Sequence, residues 1–220
     1  MSPRTVFEQE LLQLRNSVRE MSERAEISYD KLLLAAAGNQ RDTLQELLSI
    51  DREFLETQRH IEAMCLKLLT KQQPIATDLR VVSAALKVVT DVERIGDHVT
   101  DMAELFVRME PPYDVRRGAP LQSMMEVAKE MVHDAVDAFV SGNMNMAAKV
   151  IAQDDVVDDF FNQVKEKMMQ GIRSRFLGAD EIVDLLMLAK YVEKIADHAV
   201  NISEWAIFQQ TGNIQEKRLL

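Results

Sequence analysis

Asp91-Val92-Glu93-Arg94-Ile95-Gly96-Asp97-His98-Val99-Thr100-Asp101-Met102-Ala103-Glu104 returns one hundred residues further on as Tyr191-Val192-Glu193-Lys194-Ile195-Ala196-Asp197-His198-Ala199-Val200-Asn201-Ile202-Ser203-Glu204. Glu, Asp, His and the final Glu recur in register, as do Val92/Val192 and Ile95/Ile195, and the basic residue recurs by type as Arg94 and Lys194. Self-similarity at a fixed offset marks an internal duplication. Both copies read as helix. At about 100° per residue, Glu93, Asp97, Asp101 and Glu104 fall within about 80° of one another, and Val88, Ile95, Val99, Met102 and Phe106 lie opposite. The second copy sets Glu193, Asp197, Asn201 and Glu204 opposite Leu188, Ile195, Ala199, Ile202 and Ala206.

Acids spaced four residues apart repel by a few tenths of a kcal/mol per pair in water, so helix formation does not ask for them. Two readings stand. The row is the solvated face of an acidic protein, or it is a cation site, because hard cations want several carboxylate oxygens. The repetition of the row in both halves raises the second reading level with the first.

Outward from this stretch, the 220-residue chain is long enough for a real core. Few Gly and Pro, 13 Met and three Tyr lean to helix. A net charge of −10 without a Lys/Arg run speaks against direct nucleic-acid or anionic-membrane partners. One cysteine, Cys65, excludes an internal disulfide, and its helix-seam position reads as a packed thiol. The N-terminal residues carry no apolar stretch of a signal peptide, and Leu32 to Ala37, the longest apolar run, is too short to span a bilayer.

Phe7, Leu11, Leu14, Val18, Met21, Ala25, Ser28, Leu32 and Ala35 step by fours and threes, the spacing of a long helix in a bundle. Gly38-Asn39 ends it and offers Asn39 as the next N-cap. A second helix is expected over about 40–71, with Leu44, Leu47, Asp51, Phe54, Gln58, Ile61, Cys65 and Leu68 on its seam. Asp51 is out of place there and needs a hydrogen-bond partner rather than a metal. Gln72-Gln73-Pro74 breaks that helix. A third, over about 75–109, carries the first acidic row, with Arg80 near its start, poorly placed for the helix dipole and so expected to pair with a carboxylate elsewhere. The breaker cluster from Glu110 to Pro120, which includes Arg116 and Arg117, reads as the joint. Three more helices follow, over about 121–141, 144–175 and 179–210. Gly142-Asn143 repeats the earlier break, Asp154 repeats the seam position of Asp51 with Asp155 and Asp158 beside it, and the tail from Gly212 reads as frayed. The fold expected is all-α: two tandem antiparallel three-helix bundles, residues 1–110 and 121–220 joined by 111–120, each about 45 Å long.

Gln72-Gln73-Pro74, Asp78-Leu79-Arg80 and Val92-Glu93-Arg94-Ile95-Gly96-Asp97-His98 resemble the PhoU family of phosphate-uptake regulators, and Val192-Glu193-Lys194-Ile195-Ala196-Asp197-His198 resembles that family's second copy. The resemblance covers nearly the whole chain. It implies a cytoplasmic, non-catalytic homodimer that damps phosphate uptake and the phosphate-starvation response. In that role it stands between the ATPase of an ATP-driven phosphate importer and a sensor histidine kinase, touching the membrane only through the transporter. It also implies metal at the acidic motifs, with Glu93, Asp97 and Asp101 at one site and Glu193 and Asp197 at the other. Asn201 stands where the first copy has Asp101, one anionic ligand fewer. Rows of carboxylates suit iron, manganese or magnesium, and zinc less well without clear Cys or His ligands. His98 and His198 lie about 100° from the centre of the row and read as boundary histidines able to bond a neighbouring carboxylate.

A di-iron enzyme would need two inward Glu-x-x-His spacings and two more Glu. The chain has one, Glu130-Met131-Val132-His133, which reads as surface. No phosphate-binding glycine loop or nucleophile constellation is present, and no concentrated Arg/Lys pocket suggests direct phosphate sensing. The rival from another class is a docking scaffold whose acidic faces attract a basic protein without metal.

Overall fold

Apolar stripes at heptad spacing cannot be satisfied by one helix, so each long helix must find partners. The computed structural model describes residues 3–72, 77–109, 119–174, 178–214 and 217–218. Helix α1 spans Pro3–Gly38, α2 Arg41–Glu46, α3 Ile50–Gln72, α4 Thr77–Arg108, α5 Ala119–Ser141, α6 Met144–Ser174 and α7 Ala179–Thr211. Helices α1, α3 and α4 pack together, as do α5, α6 and α7. The sets join where α4 lies along α7 and α1 meets α5. One apolar core runs through both, from Phe7 on α1 to Phe208 on α7. The expected heptad positions supply it: Leu14, Val18, Met21 and Leu32, then Ile61, Cys65 and Leu68, then Met124, Ala128, Met131 and Ala135 are all buried.

The expected second helix is broken. Leu47–Ser49 forms a 3₁₀ turn between α2 and α3. There the Thr100 hydroxyl donates to the Leu47 carbonyl at 3.3 Å. A tightened turn shifts the helical phase, and Asp51 is exposed rather than seated on the seam. Its copy Asp154 stays half-buried on an unbroken α6, and Val200 replaces Thr100 in the second copy. On α1, Tyr29 is buried where Ser28 was expected, and its hydroxyl donates to the Met125 carbonyl at 3.2 Å, tying α1 to α5.

The two helix breaks differ by one residue. Asn39 takes the left-handed conformation in the first (φ 53°), and Gly142 takes it in the second (φ 72°). So Asn39 terminates α1 and Gln40 is the N-cap of α2, whereas Asn143 caps α6 as expected, its Oδ1 accepting from the Met146 amide at 3.2 Å. Arg80 finds carbonyls instead of a carboxylate: its guanidinium donates to the Gln209 and Gln210 carbonyls at 3.3 and 3.5 Å. These are orphan acceptors at the negative end of the α7 dipole. After Gly212 the tail pairs Asn213–Ile214 with Lys217–Arg218 as a two-residue antiparallel ladder instead of fraying. The break at Gln73-Pro74 and the joint at 110–118, with Arg116 and Arg117, lie outside the described residues.

Candidate functional site: the paired acidic helices

Arg80 at the start of α4 touches the end of α7, and Arg108 at the end of α4 pairs with Asp184 at the start of α7. The two duplicated helices therefore run antiparallel, with the repeated motifs meeting midway. Their meeting point is polar. Asp91 Oδ1 lies 2.8 Å from His198 Nδ1 and accepts from Asn201 Nδ2 at 3.0 Å. The mirrored positions hold Tyr191, His98 and Asp101: the Tyr191 and His98 rings are 5.5 Å apart, and His98 Nδ1 is 3.4 Å from Asp101 Oδ2. His98 and His198 stack at 5.6 Å across the axis. Burial lowers the pKa of His98 first, with the neighbouring His198 adding to it and Asp101 opposing it. The two histidines are thus boundary residues bonded to carboxylates, as their wheel position predicts.

The carboxylates of the repeated motifs lie beyond this axis. Glu93 is only 6% exposed, so the first row is not wholly turned to solvent. Burial raises its pKa, helped by Asp97. Arg94 answers both acids, 3.5 Å from Glu93 and 2.8 Å from Asp97. In the second copy Lys190 pairs with Glu193 and Lys194 with Asp197. Asp101 and Asn201, expected beside these pairs, are engaged with His98 and Asp91 at the helix–helix axis. Among the described residues no three His, Cys, Asp or Glu side chains converge closely enough to hold a metal ion as they stand.

The second copy gathers more acid than its own motif supplies. Asp154 on α6 has its pKa raised by burial, then by Asp197 and Asp158; Asp158 is raised by burial, then by Glu193 and Asp197. Asp154 and Asp158 on α6 therefore lie near enough to Glu193 and Asp197 on α7 for their charges to repel, with Asp155 adding to the charge. Two lysines answer them there. This donor set is all oxygen and over-supplied with negative charge, which fits a hard cation. The first copy is less suited, because Arg94 already bridges its two acids and Asp51 is out on the surface.

Asp91 was not singled out in the sequence. Its signal was available: it precedes His98 by seven residues and interrupts the stripe Val88-Val92-Ile95-Val99 with a charge. Cys65 is fully buried and its thiol is pushed up to about 12 by burial, an inert packed side chain. Glu130 and His133 are exposed, and His133 bonds Glu26 of α1 at 3.0 Å.

The chain is thus an all-helical protein of two three-helix repeats paired through their third helices, each third helix bearing an acidic motif. A family model described as the PhoU domain matches residues 18–106 and again 121–206, and the chain belongs to the PhoU family. A protein of Clostridium acetobutylicum described as phosphate-specific transport system accessory protein PhoU homolog is 29% identical over 95% of this chain and 96% of its own. Its counterpart from Synechocystis is 30% identical over 95% and 93% of the two chains. The crystal structure of the phosphate transport system regulatory protein PhoU from Streptococcus pneumoniae shares the fold with a TM-score of 0.87 at 22% identity, covering 94% of this chain and 98% of that one. The crystal structure of PhoU from Pseudomonas aeruginosa matches with a TM-score of 0.87 at 25% identity over 94% and 100%. Among the described residues no helix is long and apolar enough to cross a membrane.

Proposed function

We propose that this protein is a cytoplasmic negative regulator of phosphate uptake and of the phosphate-starvation response. It acts without catalysis, as an adaptor between the ATPase of an ATP-driven phosphate importer and its sensor histidine kinase, and works as a homodimer. The observation that carries this reading is the double match to the PhoU domain over both halves, together with relatives described as accessory proteins of a phosphate-specific transport system. The arrangement of charge supports an adaptor: acids, lysines and apolar side chains are laid out along the exposed faces of α6 and α7, which is how docking surfaces are built. Deleting the gene should raise phosphate uptake and starvation-gene expression in phosphate-rich medium. Unchanged uptake together with unchanged expression would refute the reading.

A hard divalent cation such as magnesium, manganese or iron(II) belongs in the same proposal, with zinc a poorer match. Glu193 and Asp197, with Asp154 and Asp158 from α6, would hold it in the second half once Lys190 and Lys194 turn aside. Glu93 and Asp97 would form the corresponding pair in the first half, with Asp101 one turn beyond them beside His98, as Asn201 lies one turn beyond Asp197 in the second half beside Asp91. The bound ion would neutralise mutually repelling carboxylates and draw α6 to α7. Elemental analysis of protein purified without chelator, compared with Asp97→Ala/Asp197→Ala, tests it: near-stoichiometric metal lost in the variant is expected. Absence of metal under every loading condition leaves the second reading, a scaffold whose acidic face binds a basic partner directly. The excess of carboxylates over lysines between α6 and α7 favours that alternative.

A further inference from the structure

The duplication supplies an internal control for the surface of each half. Gln58 Nε2 donates to Thr90 Oγ1 at 3.3 Å across α3 and α4. At the same places in the second half, Lys190 Nζ sits 5.4 Å from the centre of the Phe161 ring, across α6 and α7. The two helix pairs therefore share one register, and their outer faces can be compared position by position.

The comparison is unequal. Between Phe161 and the end of α6, and along the first turns of α7, the outer face carries Ile172 (60% exposed), Val183 (57%), Met169 (46%) and Met187 (38%). On α6, Ile172 and Met169 share a face with Phe161, Asp158 and Asp154; on α7, Val183 and Met187 share one with Lys190 and Asp197. The first half has Leu66 and Leu69 at the α6-equivalent places, but Ser83 and Lys87 stand where the second half has Val183 and Met187. Leu66 is 56% exposed as well, so the copies differ on the α4/α7 side alone; the apolar Val183 and Met187 there are not a demand of the fold, which the first copy meets with Ser83 and Lys87.

We propose that this outer face of α6 and α7 docks an amphipathic helix of a partner protein, its apolar side chains laid on Met169, Ile172, Val183 and Met187 and its Lys or Arg residues on Asp154 and Asp158. The inference rests on the adaptor reading in its metal-free form and says which face the adaptor uses; a cation held by Asp154 and Asp158 would compete with the partner's basic half. Charge complementarity selects the partner. The apolar patch leads along the same face to Asp154 and Asp158, which with Glu193 and Asp197 outnumber the two lysines beside them, so a segment with an apolar half and a basic half satisfies both. From Ile172 to Asp154 the face is about 27 Å long at 1.5 Å per residue, the reach of a five-turn helix. The same excess of acid repels an anionic lipid surface.

The test uses the full-length protein and a fluorescein-labelled synthetic helix of about 18 residues. Its amino-terminal half carries leucines at i, i+3, i+4 and i+7, its carboxy-terminal half carries lysines, and a control peptide has glutamates in place of the lysines. Fluorescence anisotropy should show the basic peptide binding at least about tenfold tighter than the acidic one. Ile172→Ser/Met187→Ser and, separately, Asp154→Asn/Asp158→Asn should each weaken it about tenfold, while Leu66→Ser on the first half should leave it unchanged. Far-ultraviolet circular dichroism of each variant confirms folding. Equal affinity for the two peptides, equal loss from Leu66→Ser, or binding to phosphatidylglycerol vesicles abolished by Ile172→Ser/Met187→Ser would overturn the proposal. So would conversion of a dimer to a monomer by Ile172→Ser/Met187→Ser, which would make a second copy the occupant. A starvation-gene reporter in phosphate-rich cells separates the two levels: derepression by gene deletion with the docking double variant silent overturns this face and keeps the adaptor, whereas no derepression by deletion refutes the adaptor itself.

Discussion

Substituting Gly96 by Ala probes how closely α3 and α4 approach. An added Cβ would lie 2.5 Å from Phe54 Cδ2 and 2.7 Å from its Cγ, with Cε2 at 3.0 Å. Carbons favour about 3.5–4.0 Å, so the ring must retreat by about 1 Å. It has little room: Phe54 is buried, with the Arg24 guanidinium carbon 5.7 Å from the ring centre. Overpacking of this kind costs about 1–3 kcal/mol, and the better helix propensity of Ala returns up to about 1 kcal/mol. A net loss of about 1 kcal/mol should lower the melting temperature by about 2–4 °C. The second half holds the other solution, since Val157 and Ala196 occupy the equivalent places and both are fully buried. In a Phe54→Val background the same Gly96→Ala change should therefore stabilise, filling space that the smaller side chain vacates. Urea unfolding of the four proteins of the cycle measures the coupling from the midpoints at a common slope. If Gly96→Ala has the same sign and size in both backgrounds, the steric account is wrong.

Asp154 keeps its proton to higher pH when folded, so the folded state binds more protons than the unfolded one, and stability falls as pH rises from an unfolded carboxylate value of about 3.9 through the raised folded value. Asp154→Asn should accordingly raise the urea midpoint at pH 7 by the equivalent of a few tenths of a kcal/mol, with the gain gone near pH 4. Arg80→Ala strips two carbonyls of their donor and should cost about 1 kcal/mol, with hydrogen exchange accelerating in the last turn of α7. Gly142→Ala forces a side chain into a left-handed turn at a cost of about 1–2 kcal/mol, read as a lower melting temperature. Cys65 should resist an aromatic disulfide reagent in the native protein and react at once in urea; fast native labelling would contradict its burial.

Heptad spacing made the long helices legible, because bundle packing leaves its period on the sequence. The 3₁₀ turn at Leu47–Ser49 was not, since the contact made there comes from Thr100 on another helix, and the expectation for Asp51 failed with it. Arg80 was recognised as misplaced for its own helix, but its partner is backbone and no residue type signals a carbonyl. The acids of the motifs were found by their repetition. Their cations were visible too, as Arg94, Lys190 and Lys194, but which of them folds over a carboxylate depends on rotamers that spacing does not set. The exposed apolar face emerged only when the copies were laid on one register, because Val183 and Met187 fit a core stripe as well as a surface.

The stacked histidines sit where the two copies have diverged most tellingly. Were α4 to pair with the α4 of another chain, Asp91 would meet Asp101 in place of Asn201, bringing like charges together. Were α7 to pair with another α7, Tyr191 would face His198 with no carboxylate. An α4 with an α7 alone gives Asp91 both its histidine and its amide. Drift at two positions has thus turned an interchangeable pair of repeats into a lock and its key, and it discourages like halves of neighbouring chains from pairing with each other while they fold.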